Sequence, residues 1–161
     1  MHIVLLEPEI PGNTGNISRT CAATGTSLHL IRPLGFKTDE SSLKRAGLDY
    51  WHLLDLHYYD SFADFCDTNK TAELYFATTK APRTYTDIVY PQDAWFVFGK
   101  ESAGIPEEIL EAYPDFCIRI PLLEGARSLN VSNSVAVILF EALRQHQFAG
   151  LQGIGKMGKL E

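Results

Sequence analysis

The sequence predicts an α/β domain built on a mostly parallel six-stranded sheet flanked by helices. Short β-rich runs alternate with helical stretches from end to end, the pattern of βαβ units rather than of hairpins. The first of these runs is apolar on consecutive residues, as strands buried on both faces are. Glycine and small polar residues gather in the loops that follow strands, where ligands of open parallel sheets bind.

Taken in order, Ile3–Leu6 is the first buried strand. The turn-rich Pro11-Gly12-Asn13-Thr14-Gly15 follows, with Asn13 or Thr14 expected to cap a helix ending near Gly25. Ile17 and Cys21 stack i,i+4 on its inner side. Ser27–Arg32 reads as a second strand, stopped by Pro33, and Ser41–Ala46 as a short helix closed by Gly47. The third strand is expected at His52–Leu56, and Ser61-Phe62-Ala63-Asp64 opens a helix running through Asp67. Leu74–Thr78 and Trp95–Phe98 are further buried strands. Pro106–Tyr113 reads as a helix with proline at its first position and Glu107-Glu108 at its positive end. Cys117–Ile120 makes the sixth strand. Asn130–Gln147 is the strongest helix, with Val135, Ile138, Leu139, Ala142 and Leu143 on one face. Residues 1–150 thus form one domain, and the glycine-rich 151–161 is expected to be a mobile tail.

A length of 161 residues suits a single domain, and 45% apolar against 21% charged residues excludes wholesale disorder. No apolar run approaches the ~18 residues of a membrane span, and the start has no basic leader, so a cytoplasmic protein is expected. Cys21, Cys66 and Cys117 form neither a disulfide ladder nor a C-x-x-C pair. Fourteen Lys+Arg against twenty Asp+Glu leave a net charge of −6, which repels a polyanion. Nucleic-acid binding would need a local basic patch or a surface shared between subunits.

Familiar motifs fail in turn. The first loop lacks G-x-G-x-x-G, although Arg32 at the end of the second strand keeps an NADP-dependent oxidoreductase as a minor rival. Gly99-Lys100-Glu101-Ser102 is not a P-loop, because Glu101 stands where Ser or Thr is required. His2, His29, His52, His57 and His146 show no dense metal pattern, so no metal is expected. Two clusters remain. Phe98 through Pro106 sets Gly99 and Gly104 in a loop directly after a buried strand, the alternative being a plain tight turn. Ser128, Asn130, Ser132 and Asn133 crowd a helix start that needs only one cap.

In these residues the chain resembles the SPOUT superfamily of S-adenosylmethionine-dependent RNA methyltransferases, and within it the small TrmL-type (YibK-like) branch. The likeness rests on three ordered motifs: Pro11 to Arg19, Phe98 to Pro106, and Ile120-Pro121 with Arg127 to Asn133. Lys44 to Tyr50 matches the same branch, and the likeness spans roughly residues 2–148. It implies a C-terminal deep trefoil knot, a homodimer, and methyl transfer to the ribose 2′-hydroxyl of the tRNA wobble nucleotide, a cytidine or carboxymethylaminomethyluridine. It implies cofactor contacts at Ala77, Thr78, Gly99, Gly104, Ile120, Leu122 and Ser128, many of them through the main chain. Arg19 and Asn130 are the implied catalytic residues. A guanidinium is a poor general base, so Arg19 suits phosphate gripping or orientation of the hydroxyl. Asn13 and Glu101 would position the nucleotide, and Lys44, Arg45 and Arg127 would join Arg19 and Lys100 in a basic strip for tRNA. The apolar faces of the first and last helices are the expected dimer surfaces. Alternatives within reach of the sequence are another tRNA or rRNA site, and a non-catalytic RNA-binding protein.

Overall fold

The computed structural model describes residues 1–36 and 51–155. The predicted helix at Ser41–Ala46, with Lys44 and Arg45, lies outside the described residues. The strands are β1 (His2–Leu6), β2 (Ser27–Ile31), β3 (Leu56–Tyr59), β4 (Leu74–Ala77), β5 (Arg83–Thr84), β6 (Trp95–Phe98) and β7 (Cys117–Arg119). Among the described residues the helices are α1 (Pro11–Thr24), α2 (Phe62–Thr68), α3 (Glu107–Ala112) and α4 (Val131–Gln145). The strands form one parallel sheet in the order β3-β2-β1-β6-β4-β7-β5.

Both faces of the sheet are apolar, which is why the strands read as unbroken hydrophobic runs. Ile3, Leu5, Leu28, Leu30, Phe96, Phe98 and Ile118 pack under α1 and α4 through Ile17, Cys21, Val135, Ile138 and Leu139. Val4, Leu6, Ile31, Phe76, Val97 and Cys117 pack on the other face, against Phe65 of α2 and the flank of α3. Leu151, assigned by sequence to the tail, also packs against the first of these cores.

Among the described residues the sheet has seven strands rather than six. The extra one, β5, is two residues long and pairs with β7 at the far edge. Its Arg-Thr sequence carries no apolar signal, because only the distant β7 makes it a strand. The third strand begins at Leu56, not His52, and Trp51–Leu53 is a 3₁₀ turn. Leu53 and Leu54 drew the sequence assignment forward, whereas the register is set by Leu28 donating to the Asp55 carbonyl. α1 starts at Pro11 with no side-chain cap, its Asn13 being engaged elsewhere. Pro106 caps α3 rather than opening it, and Pro114–Phe116 is a 3₁₀ turn. As expected, Gly25 closes α1 and Ser61 caps α2; of the four polar residues crowded at the start of α4, Asn130, read from sequence as its first residue, is the cap.

The strand order has a consequence for the chain path. β6 enters between β1 and β4, and β7 enters between β4 and β5, so late strands fill gaps left by earlier ones. Their following loops therefore meet the loop after β1 at the carboxyl end of the sheet.

Candidate functional site

A cleft of about 640 Å³ opens where these loops meet. Phe98, Ile118, Ile120 and Ile138 supply an apolar lining, while Thr78, Ser128, Asn130 and Ser134 supply polar groups. All seven sequence-derived cofactor positions line it: Ala77, Thr78, Gly99, Gly104, Ile120, Leu122 and Ser128. Asn13, Glu101, Arg127 and Asn130 line it too. Thr79, Lys80 and Ile10 are lining residues that motif matching missed; the strand-end rule, followed two and three residues past β4, finds the first two.

The three motifs are joined by one hydrogen-bonded chain. Glu101 accepts from the main-chain N–H of Glu9 (2.8 Å) and of Ile10 (3.3 Å), and from Asn13 Nδ2 (2.9 Å). Asn13 Oδ1 in turn accepts from Asn130 Nδ2 at 2.9 Å. Asn130 Oδ1 accepts from the N–H and Oγ of Ser132 at 2.9 and 2.7 Å, which caps α4. Part of the polar crowding at this helix start is thus explained: the Asn130 amide serves as cap and strut together, and Ser132 donates to it. Asn130 is left with one amide hydrogen for anything else.

The two glycines of the second loop have different reasons. A Cβ on Gly99 would lie 2.1 Å from the carbonyl carbon of Gly104 and 2.3 Å from the nitrogen of Ile105. Gly99 therefore lets the loop close on itself, sealed by Gly104 N–H donating to the Lys100 carbonyl at 2.8 Å. Gly104 has open space around it but a φ of +74°, which only glycine adopts without strain.

Of the expected basic strip, Lys100 is held in an ion pair, and the lining residue Lys80, outside that strip, is held in another. Lys100 Nζ sits 2.8 Å from Glu7, which raises its pKa, and Lys80 Nζ sits 2.7 Å from Glu107. Arg127 lines the cleft with no ion-pair partner among the described residues. Arg19 is exposed on α1 and is not a lining residue. Six residues beyond Asn13, it stands about 9 Å further along the helix and about 240° around it. Arg32, the residue that kept an oxidoreductase in view, is bound to Asp60 at 2.7 Å and stacks over Tyr58, away from the cleft. Cys21 is buried, and burial pushes its thiol up to about 12, so it is no nucleophile.

Fold and cleft define the class: an α/β parallel-sheet domain whose ligand site is assembled from three polar loops at the strand carboxyl ends. Sequence comparison gives the particular family. The chain belongs to the SpoU rRNA Methylase family, whose model matches residues 1–140. It is a methyltransferase of the SPOUT kind, as the three motifs imply. A relative from Geobacillus stearothermophilus, named provisionally as a tRNA (cytidine(34)-2′-O)-methyltransferase, is 51% identical over 154 residues, covering 94% of this chain and 98% of its own length. The crystal structure of a provisionally named RNA methyltransferase from Bacillus anthracis superposes with a TM-score of 0.90 at 50% identity, covering 95% of this chain and 99% of that one. A second structure, described as giving insight into 2-OH methylation of C/U34 on tRNA, superposes with a TM-score of 0.85 at 43% identity, covering 91% of this chain and 95% of that one.

Proposed function

We propose that the protein transfers the methyl group of S-adenosylmethionine to the ribose 2′-hydroxyl of the wobble nucleotide of tRNA, a cytidine or a carboxymethylaminomethyluridine. The observation that carries this reading is the joining of Asn13, Glu101 and Asn130 beside one cleft, in a chain similar over nearly its whole length to relatives bearing that activity in their names.

The cleft fits the cofactor. Its volume of about 640 Å³ lies in the range of small-molecule sites, and its apolar lining with a few polar side chains suits a flat base and a ribose. Main-chain groups near Ala77, Thr78, Gly99, Gly104, Ile120 and Leu122, with Ser128, would hold it. When bound, S-adenosylmethionine supplies an electrophilic methyl on a sulfonium. The protein's own task is then to place the 2′-oxygen in line and exclude water, an orientation effect worth several kcal/mol of barrier. The remaining amide hydrogen of Asn130 serves to position the nucleotide. Arg19, which stands outside the cleft of its own chain, grips the phosphate or orients the hydroxyl of a nucleotide shared between two subunits, and Arg127, Lys44 and Arg45 bind the anticodon stem-loop backbone.

A homodimer shares the substrate between subunits. The inner faces of α1 and α4 are consumed in the monomer core, so the dimer surface moves to the outer side of α4, where Val137 and Phe140 are exposed. The insertion of β6 and β7 between earlier strands supports the C-terminal trefoil knot that the family resemblance implies. A cytoplasmic location follows from a tRNA substrate; among the described residues no helix is long and apolar enough to cross a membrane.

The test is mass mapping of 2′-O-methyl groups on bulk tRNA and rRNA after incubation with protein and S-adenosylmethionine. A new methyl on the wobble ribose is expected. Methylation confined to rRNA, the substrate named in the family description, would replace the tRNA reading.

A further inference from the structure

The loop that forms one wall of the cleft is held from outside by a residue no motif singled out. Glu9 accepts from Ser102 twice, Oε2 from its main-chain N–H at 2.8 Å and Oε1 from its Oγ at 2.9 Å. In the opposite direction the Glu9 N–H donates to Glu101 at 2.8 Å. Lys100, Glu101 and Ser102 are thus each tied to the segment from Glu7 to Asn13.

Glu9 is itself fixed from behind. A Cβ on Gly35 would lie 2.7 Å from the Glu9 Cα, and the Gly35 N–H donates to the Pro8 carbonyl at 2.9 Å. Glu7, two residues earlier, holds a left-handed φ of 50°, a conformation costing a non-glycine residue about 1 kcal/mol or more. Such a backbone persists only where its surroundings over-determine it. Here the Glu7 N–H donates to the Ile31 carbonyl at 3.0 Å and its carboxylate holds the Lys100 ammonium, while the Gly35 backbone fixes the two residues that follow.

The loop needs this support. Its tip, Ser102 and Ala103, is exposed, and the hairpin is otherwise closed by the Lys100–Gly104 bridge. We propose that Glu9 is a positioning residue for the methyl-transfer reaction, setting the Gly99–Gly104 wall of the cofactor cleft through its paired hydrogen bonds to Ser102. This rests on the cofactor reading given above.

Two substitutions separate positioning from bulk stability. Glu9→Ala deletes both acceptors. Glu9→Gln keeps the pair, its carbonyl accepting from the Ser102 N–H while its amide donates to Ser102 Oγ. Leu139→Ala, on the buried face of α4 and not among the cleft-lining residues, serves as a destabilised control whose Gly99–Gly104 wall is intact. Affinity for S-adenosylmethionine is measured by calorimetry, and kcat and KM with bulk tRNA. Glu9→Ala is expected to raise the cofactor Kd and KM about tenfold, the loss of roughly one charge-assisted hydrogen bond. Glu9→Gln should stay within about threefold of the unaltered protein, and Leu139→Ala should leave the Kd unchanged. An Ala variant that binds like the unaltered protein, or a Gln variant no better than Ala, overturns the role of Glu9 alone. Failure of the unaltered protein to bind the cofactor overturns the cofactor reading and this inference together.

Discussion

Replacing Gly99 by alanine tests the loop architecture most directly. The added Cβ would meet the Gly104 carbonyl carbon at 2.1 Å, the Ile105 nitrogen at 2.3 Å and the Gly104 oxygen at 2.4 Å. All three are backbone atoms, and ordinary contact begins near 3.4 Å, so the two limbs must part by more than an ångström. Neither limb yields easily, because Phe98 and Ile105 on either side are buried. Parting them breaks the 2.8 Å bond from Gly104 N–H to Lys100. One lost hydrogen bond (about 1 kcal/mol) plus overpacking (about 1–3 kcal/mol) gives a destabilisation of about 2–4 kcal/mol. In urea, with a slope of about 2 kcal/mol per molar, the midpoint falls by about 1–2 M. Gly104→Ala meets open space but a φ of +74°, and should cost only about 1 kcal/mol. Gly12→Ala meets open space within α1 and should gain about 0.5–1 kcal/mol. Urea unfolding of the three variants with cofactor calorimetry gives the ranking. A Gly99→Ala protein with the original midpoint and affinity would show that the two limbs do not close as described.

Acid should weaken the fold through histidines at the opposite end of the sheet. His29 is buried between His2 and Tyr59, each 3.1 Å from one of its ring nitrogens, and burial foremost, then the charges of His57 and His2, lowers its pKa to about 3. The unfolded chain takes up this proton near pH 6.5 while the native state refuses it, so stability is flat above pH 6.5 and declines below. By pH 4 the single group costs about 3 kcal/mol. Denaturant curves from pH 7 to 4 should show this decline, and His29→Gln should lessen it, His2, which burial lowers to about 4, keeping a share of its own; identical profiles would dismiss the cause. Arg19→Ala should retain cofactor affinity and lose methyl transfer, measured by calorimetry beside a tritium-transfer assay; full activity would remove Arg19 from the reaction. Leu139→Ala, in a side chain with no exposed surface, should lower stability by about 2–5 kcal/mol in the same urea titrations.

Which features could be read before any coordinates follows from the range of the interactions that make them. β1, β6 and α4 were legible because each carries its own signal: unbroken apolar runs, or a face repeating every three to four residues. The caps at Ser61 and Asn130 and the stop at Gly25 are equally local. β5 was not legible, since Arg83 and Thr84 become a strand only by pairing with β7. For Gly99 the sequence left a tight turn and a ligand approach both open; the folded loop uses its missing Cβ for the turn, closing on Gly104 and Ile105, while Gly99 also lines the cleft.

Composition and pattern alone determined a parallel α/β sheet, and the ordered motifs determined the family and the residues that line the cleft. Only the folded chain decided that Glu101, Asn13 and Asn130 join hands, that Glu7 and Glu107 cancel two of the cations, and that Arg19 stands apart from the cleft. The reason is physical: hydrophobic periodicity is written within a dozen neighbouring residues, whereas a hydrogen bond between positions 13 and 130 exists only once strand order has brought distant loops within 3 Å.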